Sequence, residues 1–164
     1  MKGSKGGGGS SEQAAMNPIS LAEARLARLK TIPFDRSKYE VVRDLARLKA
    51  WIVRAIEHGH VAIDTETNSL DPMQAALCGF SLAVTPNEAC YVPLAHKKNG
   101  GSEGLFDAGL EPHQIAEKDA LDTIKPLLED PGVLKIGQNL KFDWQIFARR
   151  GIEAGLLLWC RSRH

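Results

Sequence analysis

Apolar and polar residues follow two different periods along this chain, one typical of helices and one typical of strands. Leucine and isoleucine recur at helical spacing over 44–58, which Gly59 ends, and over 117–129, before a Pro-Gly pair. The runs VAIDTET, CGFSLAVTP, EACYVPLA and VLKIGQ have the β-branched and aromatic content of strands. The order predicted is helix, strand, hairpin, helix and strand, with Pro86 and Asn87 at the hairpin turn.

Two further elements complete the predicted fold. A short strand, YEVV, precedes the first of these helices, and a last helix, LKFDWQIFARR, follows VLKIGQ and ends at Gly151. Gln138 or Asn139 stands where a side chain can cap that last helix. The alternation of strands and helices predicts an α/β fold, a mixed sheet with helices packed on its faces.

The N-terminal region differs in composition from the rest. Residues 1–16 are rich in glycine and serine, and SLAEARLARLK over 20–30 predicts a short helix that TIPFDRSK interrupts. We therefore interpret residues 1–38 as a flexible linker with a short helix and expect the folded domain to begin at Tyr39. The loop over 96–114 is polar and glycine-rich, and its pattern predicts no element.

Composition indicates an ordinary globular protein. The net charge is +1, so charge alone does not indicate a nucleic-acid partner, and no apolar run reaches the roughly 20 residues of a membrane span. The N-terminus lacks the apolar centre of a secretion signal. Cys78 and Cys90 lie in strand-like runs and are expected in the core, and no CxxC pair or histidine spacing indicates a metal site. We expect a cytoplasmic protein with no membrane partner.

Two carboxylates lie at the end of one predicted strand. Asp64 and Glu66 in VAIDTET are two residues apart, so their side chains leave the same face at a separation of about 6.6 Å. Like charges at that distance repel, and burial makes both harder to ionise. A divalent cation between them would remove the conflict.

Asp143 is a third acidic candidate, in the first turn of the last helix. Taken alone it is explained as a negative charge near a helix N-terminus, which is favourable by about 0.3–1 kcal/mol. Strand ends and helix starts meet at one edge of an α/β sheet, so Asp143 approaches Asp64 and Glu66 if the two strands are neighbours. Carboxylate oxygens suit Mg²⁺ or Mn²⁺, and two such ions can assist cleavage of a phosphodiester.

Three stretches of the chain resemble a known family. VAIDTETNSLDPMQAALCGFSLAV, YVPLAH and IKPLLEDPGVLKIGQNLKFDWQIFARRGIE are similar to the 3′–5′ proofreading exonuclease domain of bacterial DNA polymerase I, from about Tyr39 to Glu153. That domain has the ribonuclease H-like fold of the wider DEDD exonuclease superfamily. The resemblance implies hydrolysis of single-stranded or frayed DNA 3′ ends in replication and repair, with two Mg²⁺ or Mn²⁺ ions as cofactors.

The resemblance also implies roles for individual residues. Asp64 would bridge both metals, Glu66 would bind one metal and touch the terminal 3′-hydroxyl, and Asp143 would hold the second metal. Four further residues would contact the end of the DNA: Thr67, Leu70, Gln138 and Asn139. Two of these have simpler explanations, because Leu70 fits an ordinary core leucine and Thr67 a residue that favours strands.

The chain departs from the family after Glu153. The family has a third motif, Tyr-x-x-x-Asp, whose aspartate completes a metal site, and no such motif follows Asp143 here. Residues 154–164, AGLLLWCRSRH, match nothing expected, and we interpret them as an atypical tail after an exonuclease domain over 39–153. We therefore expect an incomplete fold, an impaired nuclease and an absent polymerase domain or partner chain. The alternatives are a non-catalytic nucleic-acid-binding module and a gene fragment.

Overall fold

The computed structural model of the protein describes residues 17–97 and 109–153, together with the backbone of residues 157–160. The chain divides into two compact units, Met1–Phe34 and Asp35–His164.

The first unit contains one described helix, α1, over Pro18–Thr31. Asn17 caps it, because the Asn17 side chain accepts a hydrogen bond of 2.9 Å from the backbone N–H of Ser20. None of its residues is buried. The short helix predicted over 20–30 is confirmed, and it begins two residues earlier because Pro18 occupies the first turn, where proline is tolerated.

The second unit contains six strands and three helices among its described residues. In chain order they are β1 (Glu40–Val41), α2 (Leu45–His58), β2 (His60–Thr67), β3 (Leu77–Thr85), β4 (Glu88–Pro93), α3 (Glu117–Glu129), β5 (Leu134–Gln138), α4 (Leu140–Ala148) and β6 (Leu157–Cys160). The predicted order of elements is confirmed. The strand β6 was not predicted; it lies within the segment interpreted as an atypical tail.

The six strands form one mixed sheet in the order β1-β4-β3-β2-β5-β6. The pairs β2–β3 and β3–β4 are antiparallel, whereas β1–β4, β2–β5 and β5–β6 are parallel. The mixed α/β sheet predicted from the sequence is therefore confirmed. The pairing of β2 with β5 meets the condition under which Asp143, which follows β5, was expected to approach Asp64 and Glu66.

Local sequence signals explain most element boundaries. The Asp44 side chain accepts a hydrogen bond of 2.8 Å from the N–H of Arg47 and so begins α2. Gly59 ends α2 in the left-handed region, at φ +69°, where a side chain is disfavoured. Asn87 also has a positive φ, +65°, at the predicted hairpin turn between β3 and β4.

One hydrophobic core joins the helices to the sheet. Val61 and Ile63 of β2 are buried, whereas Asp64 and Glu66 are exposed, so these carboxylates leave the face opposite the core. The core residues on the helices and on strands β3 and β4 include Leu48, Trp51, Phe80, Leu82, Val92, Ile124, Leu127, Ile146 and Phe147. The core thus holds β2 firmly while its outer face carries the two acids.

The two described cysteines differ. Cys90 is 3% exposed and burial raises the pKa of its thiol to about 12, so the predicted core role is confirmed. Cys78 is only half-buried, so its predicted core position is wrong; it lies where β3 begins and the strand register shifts against β2.

Within the described ranges, no helix combines the length and the apolarity that crossing a bilayer needs. Of the polar, glycine-rich loop over 96–114, residues 98–108 lie outside the described residues.

Candidate active site at the end of strand β2

Asp64 and Glu66 both project from the outer face of β2. Asp64 pairs with Ser81 and Glu66 pairs with Gly79 across the antiparallel ladder with β3. The register shifts directly after Glu66, where a bulge or irregularity interrupts the pairing. The predicted shared face of the two acids is therefore confirmed, and their strand stops regular pairing just beyond them.

Asp143 reaches the same strand from the core side. It lies in the first turn of α4 and is 3% exposed. Its Oδ1 accepts two hydrogen bonds from Thr65, one of 2.9 Å from the backbone N–H and one of 2.6 Å from the hydroxyl. Thr65 stands between the two outer acids, and its side chain alternates to the core face. Asp143 is thus more than a charge at a helix N-terminus, because it ties α4 to β2.

Sequence reasoning missed Thr65. Its only local signal is a threonine between two acids at a strand end, which is equally well explained by β-propensity. The hydroxyl has a partner only because α4 packs beside β2 in the folded chain. The hydrogen bond joins residues 78 positions apart.

Asp64 lies within electrostatic reach of the other two carboxylates. Partial burial raises the pKa of Asp64, and the negative charges of Asp143 and then Glu66 raise it further. Loss of hydration and two like charges thus all disfavour the ionised form of Asp64. A cation bound at this point would reverse the balance.

The donor set fits a divalent cation that keeps part of its water shell. In the described ranges, no three histidine, cysteine or acidic side chains form a group that could hold a metal ion on their own. Mg²⁺, however, is usually bound by only one or two carboxylates, with water and phosphate oxygens completing its six ligands. Asp64 and Glu66 satisfy that requirement from the outer face. Both hydrogen bonds that the described residues make to Asp143 go to Oδ1, so its Oδ2 is available to water or an ion.

Residues 68–76 form a closed loop at the end of β2, here called the tip loop. Asn68 joins its two ends, since its backbone N–H donates to the carbonyl of Ala76 and its side chain accepts from the N–H of Ala76. Asp71 folds the centre by accepting from the N–H of Met73 at 2.9 Å. Leu70 is 95% exposed on this loop, so its alternative reading as a core leucine is wrong.

Two neighbours hold the base of the tip loop. The hydroxyl of Thr67 donates to the carbonyl of Ser69 at 2.9 Å, so Thr67 shapes the loop and does more than extend the strand. Arg149, just after α4, donates from Nη1 to the carbonyls of Pro72 at 2.7 Å and Ala75 at 3.3 Å. The helix that carries Asp143 therefore also supports the loop that carries Leu70.

Gln138 and Asn139 are exposed where β5 meets α4. Asn139 occupies the N-cap position in the left-handed region, at φ +53°, and its side chain makes no capping hydrogen bond. The predicted capping bond is therefore wrong, because Asn139 has turned away from the extended conformation that a capping side chain needs. Its amide is left on the surface at the strand edge, near the start of the helix that holds Asp143.

Comparisons with known proteins identify the family of this chain. The family model described as 3′–5′ exonuclease, of DNA polymerase A, matches residues 39–158. DNA polymerase I of Rhizobium leguminosarum is 48% identical over 153 residues, 88% of this chain and 15% of that protein. DNA polymerase I of Pseudomonas aeruginosa is 43% identical over 72% of this chain and 12% of its own length. The chain thus spans less than a fifth of these relatives.

Solved structures share the fold at low identity. RNase D of Trypanosoma brucei, in complex with RNA U12, superposes with a TM-score of 0.55 and 12% identity, over 75% of this chain and 38% of that one. Escherichia coli RNase D, an exoribonuclease, gives a TM-score of 0.52 and 16% identity, over 74% of this chain and 27% of that one. With the family model covering most of the sequence, the chain belongs to the 3′–5′ exonuclease domain family of DNA polymerase A.

Proposed function

We propose that this chain is a 3′–5′ exonuclease acting on single-stranded or frayed DNA 3′ ends, with a part in DNA replication and repair. The observation that supports the proposal is the position of Asp64 at the end of β2, where burial and then the charges of Asp143 and Glu66 raise its pKa. Membership of the exonuclease family supports the same reaction. We assign the reaction to residues 39–153, with 1–38 as a linker and 154–164 as a tail.

The proposed catalytic residues and metal ligands are Asp64, Glu66 and Asp143. Bound Mg²⁺ or Mn²⁺, two ions in this proposal, supplies a Lewis acid and a water of lowered pKa for attack on a phosphodiester. Asp64 and Glu66 present their oxygens on the outer face, where a DNA end has access. Thr65 holds Oδ1 of Asp143. The other carboxylate oxygen would be the one to hold an ion, directly or through water.

The proposed substrate contacts surround these acids. Leu70 offers an apolar side chain that is 95% exposed, and covering it with a DNA base would remove that surface from water. Thr67 shapes the base of the same loop. Gln138 and Asn139 offer amide donors and acceptors at the neighbouring strand end, suited to a phosphate or a base edge.

Digestion of a 5′-labelled single-stranded DNA in Mg²⁺ or Mn²⁺ tests the proposal. The wild-type chain should produce a ladder that shortens from the 3′ end. Asp64→Ala should lower the rate about 100-fold or more, the usual cost of removing a group that stabilises developing charge. Asp122→Ala is the matched control, because Asp122 is an exposed aspartate on α3 whose ion pair within the described residues is with Lys118. Digestion that survives Asp64→Ala would dismiss the site.

We further propose that this polypeptide cleaves more slowly than a domain with four carboxylates, because three acids hold the ions less tightly. A longer family member assayed beside it, at equal concentrations of protein and Mg²⁺, provides the comparison. Equal rates would refute this part of the proposal. A polymerase domain, in the same chain or as a partner, is the proposed source of 3′ ends.

A second candidate is a non-catalytic module that binds nucleic acid. The observation that favours it is the hydrogen bonding of Asp143 to Thr65, together with the lack of a self-sufficient group of three metal ligands among the described residues. On this account single-stranded DNA binds equally well in EDTA, and no nucleotide is released in Mg²⁺. Calorimetric titration with Mg²⁺ and Mn²⁺ separates the two, because only the exonuclease requires an affinity for the ions.

A further inference from the structure

Tyr91 of β4 extends across β3 towards Glu66. Gly79 of β3 is the partner of Glu66 in the ladder, so the two residues share the outer face of the sheet. A methyl group at Gly79 would overlap the hydroxyl oxygen and the ring carbon Cζ of Tyr91. The phenol therefore occupies the space that a side chain at Gly79 would fill, directly beside Glu66.

The electrostatics agree with that placement. Burial raises the pKa of the Tyr91 hydroxyl, and the negative charge of Glu66 is the next largest cause. A phenol, whose ordinary pKa is about 10, is protonated at neutral pH, so it can donate as well as accept a hydrogen bond.

A chain of hydrogen bonds fixes the phenol in place. The hydroxyl of Tyr91 lies 2.5 Å from Nε2 of His96, and the two rings meet edge to face. The backbone of His96 is itself held on both sides by Gln114, whose Oε1 accepts from its N–H at 2.8 Å and whose Nε2 donates to its carbonyl at 3.0 Å. The mechanism proposed above uses none of these three residues.

We infer that Tyr91, braced by His96, binds the sugar hydroxyl of the 3′-terminal nucleotide together with Glu66. A hydroxyl has one donor and two acceptor sites, so the bond to His96 leaves Tyr91 another bond to make. A carboxylate acceptor beside a phenol matches a ligand hydroxyl that donates to the first and bonds to the second. This inference rests on the proposed function, because it takes a DNA 3′ end as the ligand. Tyr91 is thus assigned to specificity for a free 3′-hydroxyl.

Equilibrium binding of two single-stranded DNA oligonucleotides tests the inference. Both carry a 5′-fluorescein; one ends in an ordinary 3′-hydroxyl and the other in a 2′,3′-dideoxynucleotide. Fluorescence anisotropy in Ca²⁺, without Mg²⁺ or Mn²⁺, gives the ratio of their Kd values for the full chain. We expect the wild type to favour the 3′-hydroxyl, and Tyr91→Phe to reduce that ratio about 2- to 10-fold, the worth of one neutral hydrogen bond.

Tyr39→Phe is the matched control. Tyr39, the only other tyrosine, precedes β1 and does not lie on β4, and the same substitution removes the same atom there. The ratio should be unchanged in this variant, and thermal unfolding checks that both variants fold. A role of Tyr91 limited to supporting its loop would weaken binding of both oligonucleotides equally and leave the ratio as in the wild type.

The outcomes separate this inference from the proposed function. A wild-type ratio near 1, an unchanged ratio in Tyr91→Phe, or an equal fall in Tyr39→Phe would overturn it. Digestion in Mg²⁺ is measured in parallel. If the chain digests DNA but the ratio of Kd values is the same in Tyr91→Phe as in the wild type, the inference alone is overturned. If the chain is inactive but the ratio falls in Tyr91→Phe, the proposed exonuclease activity is overturned and the hydroxyl site is retained.

Discussion

The Thr65→Val substitution tests the contact that joins α4 to β2. Valine keeps the shape of threonine and removes only the hydroxyl, which donates to Oδ1 of Asp143 at 2.6 Å. Asp143 is 3% exposed and Thr65 is 9% exposed, so water cannot replace the lost donor without opening the core. A hydrogen bond to a charged group contributes about 1.5–3 kcal/mol, and we therefore expect the free energy of unfolding to fall by about 2 kcal/mol.

Urea unfolding in EDTA at neutral pH, followed by tryptophan fluorescence, measures this change. All three tryptophans belong to the unit that contains the sheet, so the signal reports on that unit. Thr67→Val is the matched control, because it removes a hydroxyl from the same strand that donates to a neutral backbone carbonyl. We expect the control to cost only about 0.5–1.5 kcal/mol.

A double-mutant cycle with Asp143→Asn isolates the interaction itself. If Thr65 acts through Asp143, the two substitutions together should cost less than the sum of their separate costs, by about 1–2 kcal/mol. Additive costs, or a Thr65→Val variant no less stable than Thr67→Val, would refute the reasoning. In that case α4 would be held to β2 by apolar packing alone.

Three further predictions follow from the same geometry. Because folding raises the pKa of Asp64, its contribution to stability is full below its ordinary pKa of 3.8 and is lost as pH rises through the folded pKa. Asp64→Asn should therefore raise the free energy of unfolding in EDTA at pH 7, by up to about 1 kcal/mol. A gain that persists at pH 3 would contradict this. Arg149→Met should speed hydrogen exchange in the tip loop with little change in Tm, and unchanged exchange would show that the loop supports itself. Gly137→Ala should cost about 1–3 kcal/mol in thermal unfolding, because a methyl group there meets the backbone carbonyl of Ile63 at 2.8 Å, whereas Gly132→Ala, with only a side chain nearby, should cost much less.

Local signals in the sequence predict most of the fold. The bounds of α3 agree with the prediction, and α2 begins and ends where Asp44 and Gly59 indicated, because caps and stops act within a few residues. The face of β2 that carries Asp64 and Glu66 was predictable for the same reason, since alternation along a strand requires no knowledge of its neighbours.

Contacts between residues that are distant in the sequence could not be predicted from local sequence patterns. The bond from Thr65 to Asp143 and the reach of Tyr91 over Gly79 both depend on which strands and helices become neighbours. Asn139 illustrates the opposite failure, because its residue type favours capping while its observed backbone conformation prevents it. Leu70 was ambiguous for a related reason: the sequence pattern alone does not distinguish a leucine on a braced surface loop from one in the core.

The fold stabilises the carboxylates of Asp64 and Asp143 unequally, and this asymmetry bears on their role. Asp143 receives two hydrogen bonds from the protein, which offset the cost of burying its charge. Asp64 receives no such compensation from the described residues that act on its pKa, because burial and both neighbouring acids raise that pKa. A purely structural site would gain stability by replacing Asp64 with a neutral residue. An unfavourable carboxylate on an exposed strand end, beside a hydrogen-bonded one in the core, is the arrangement expected where a cation supplies the missing stabilisation.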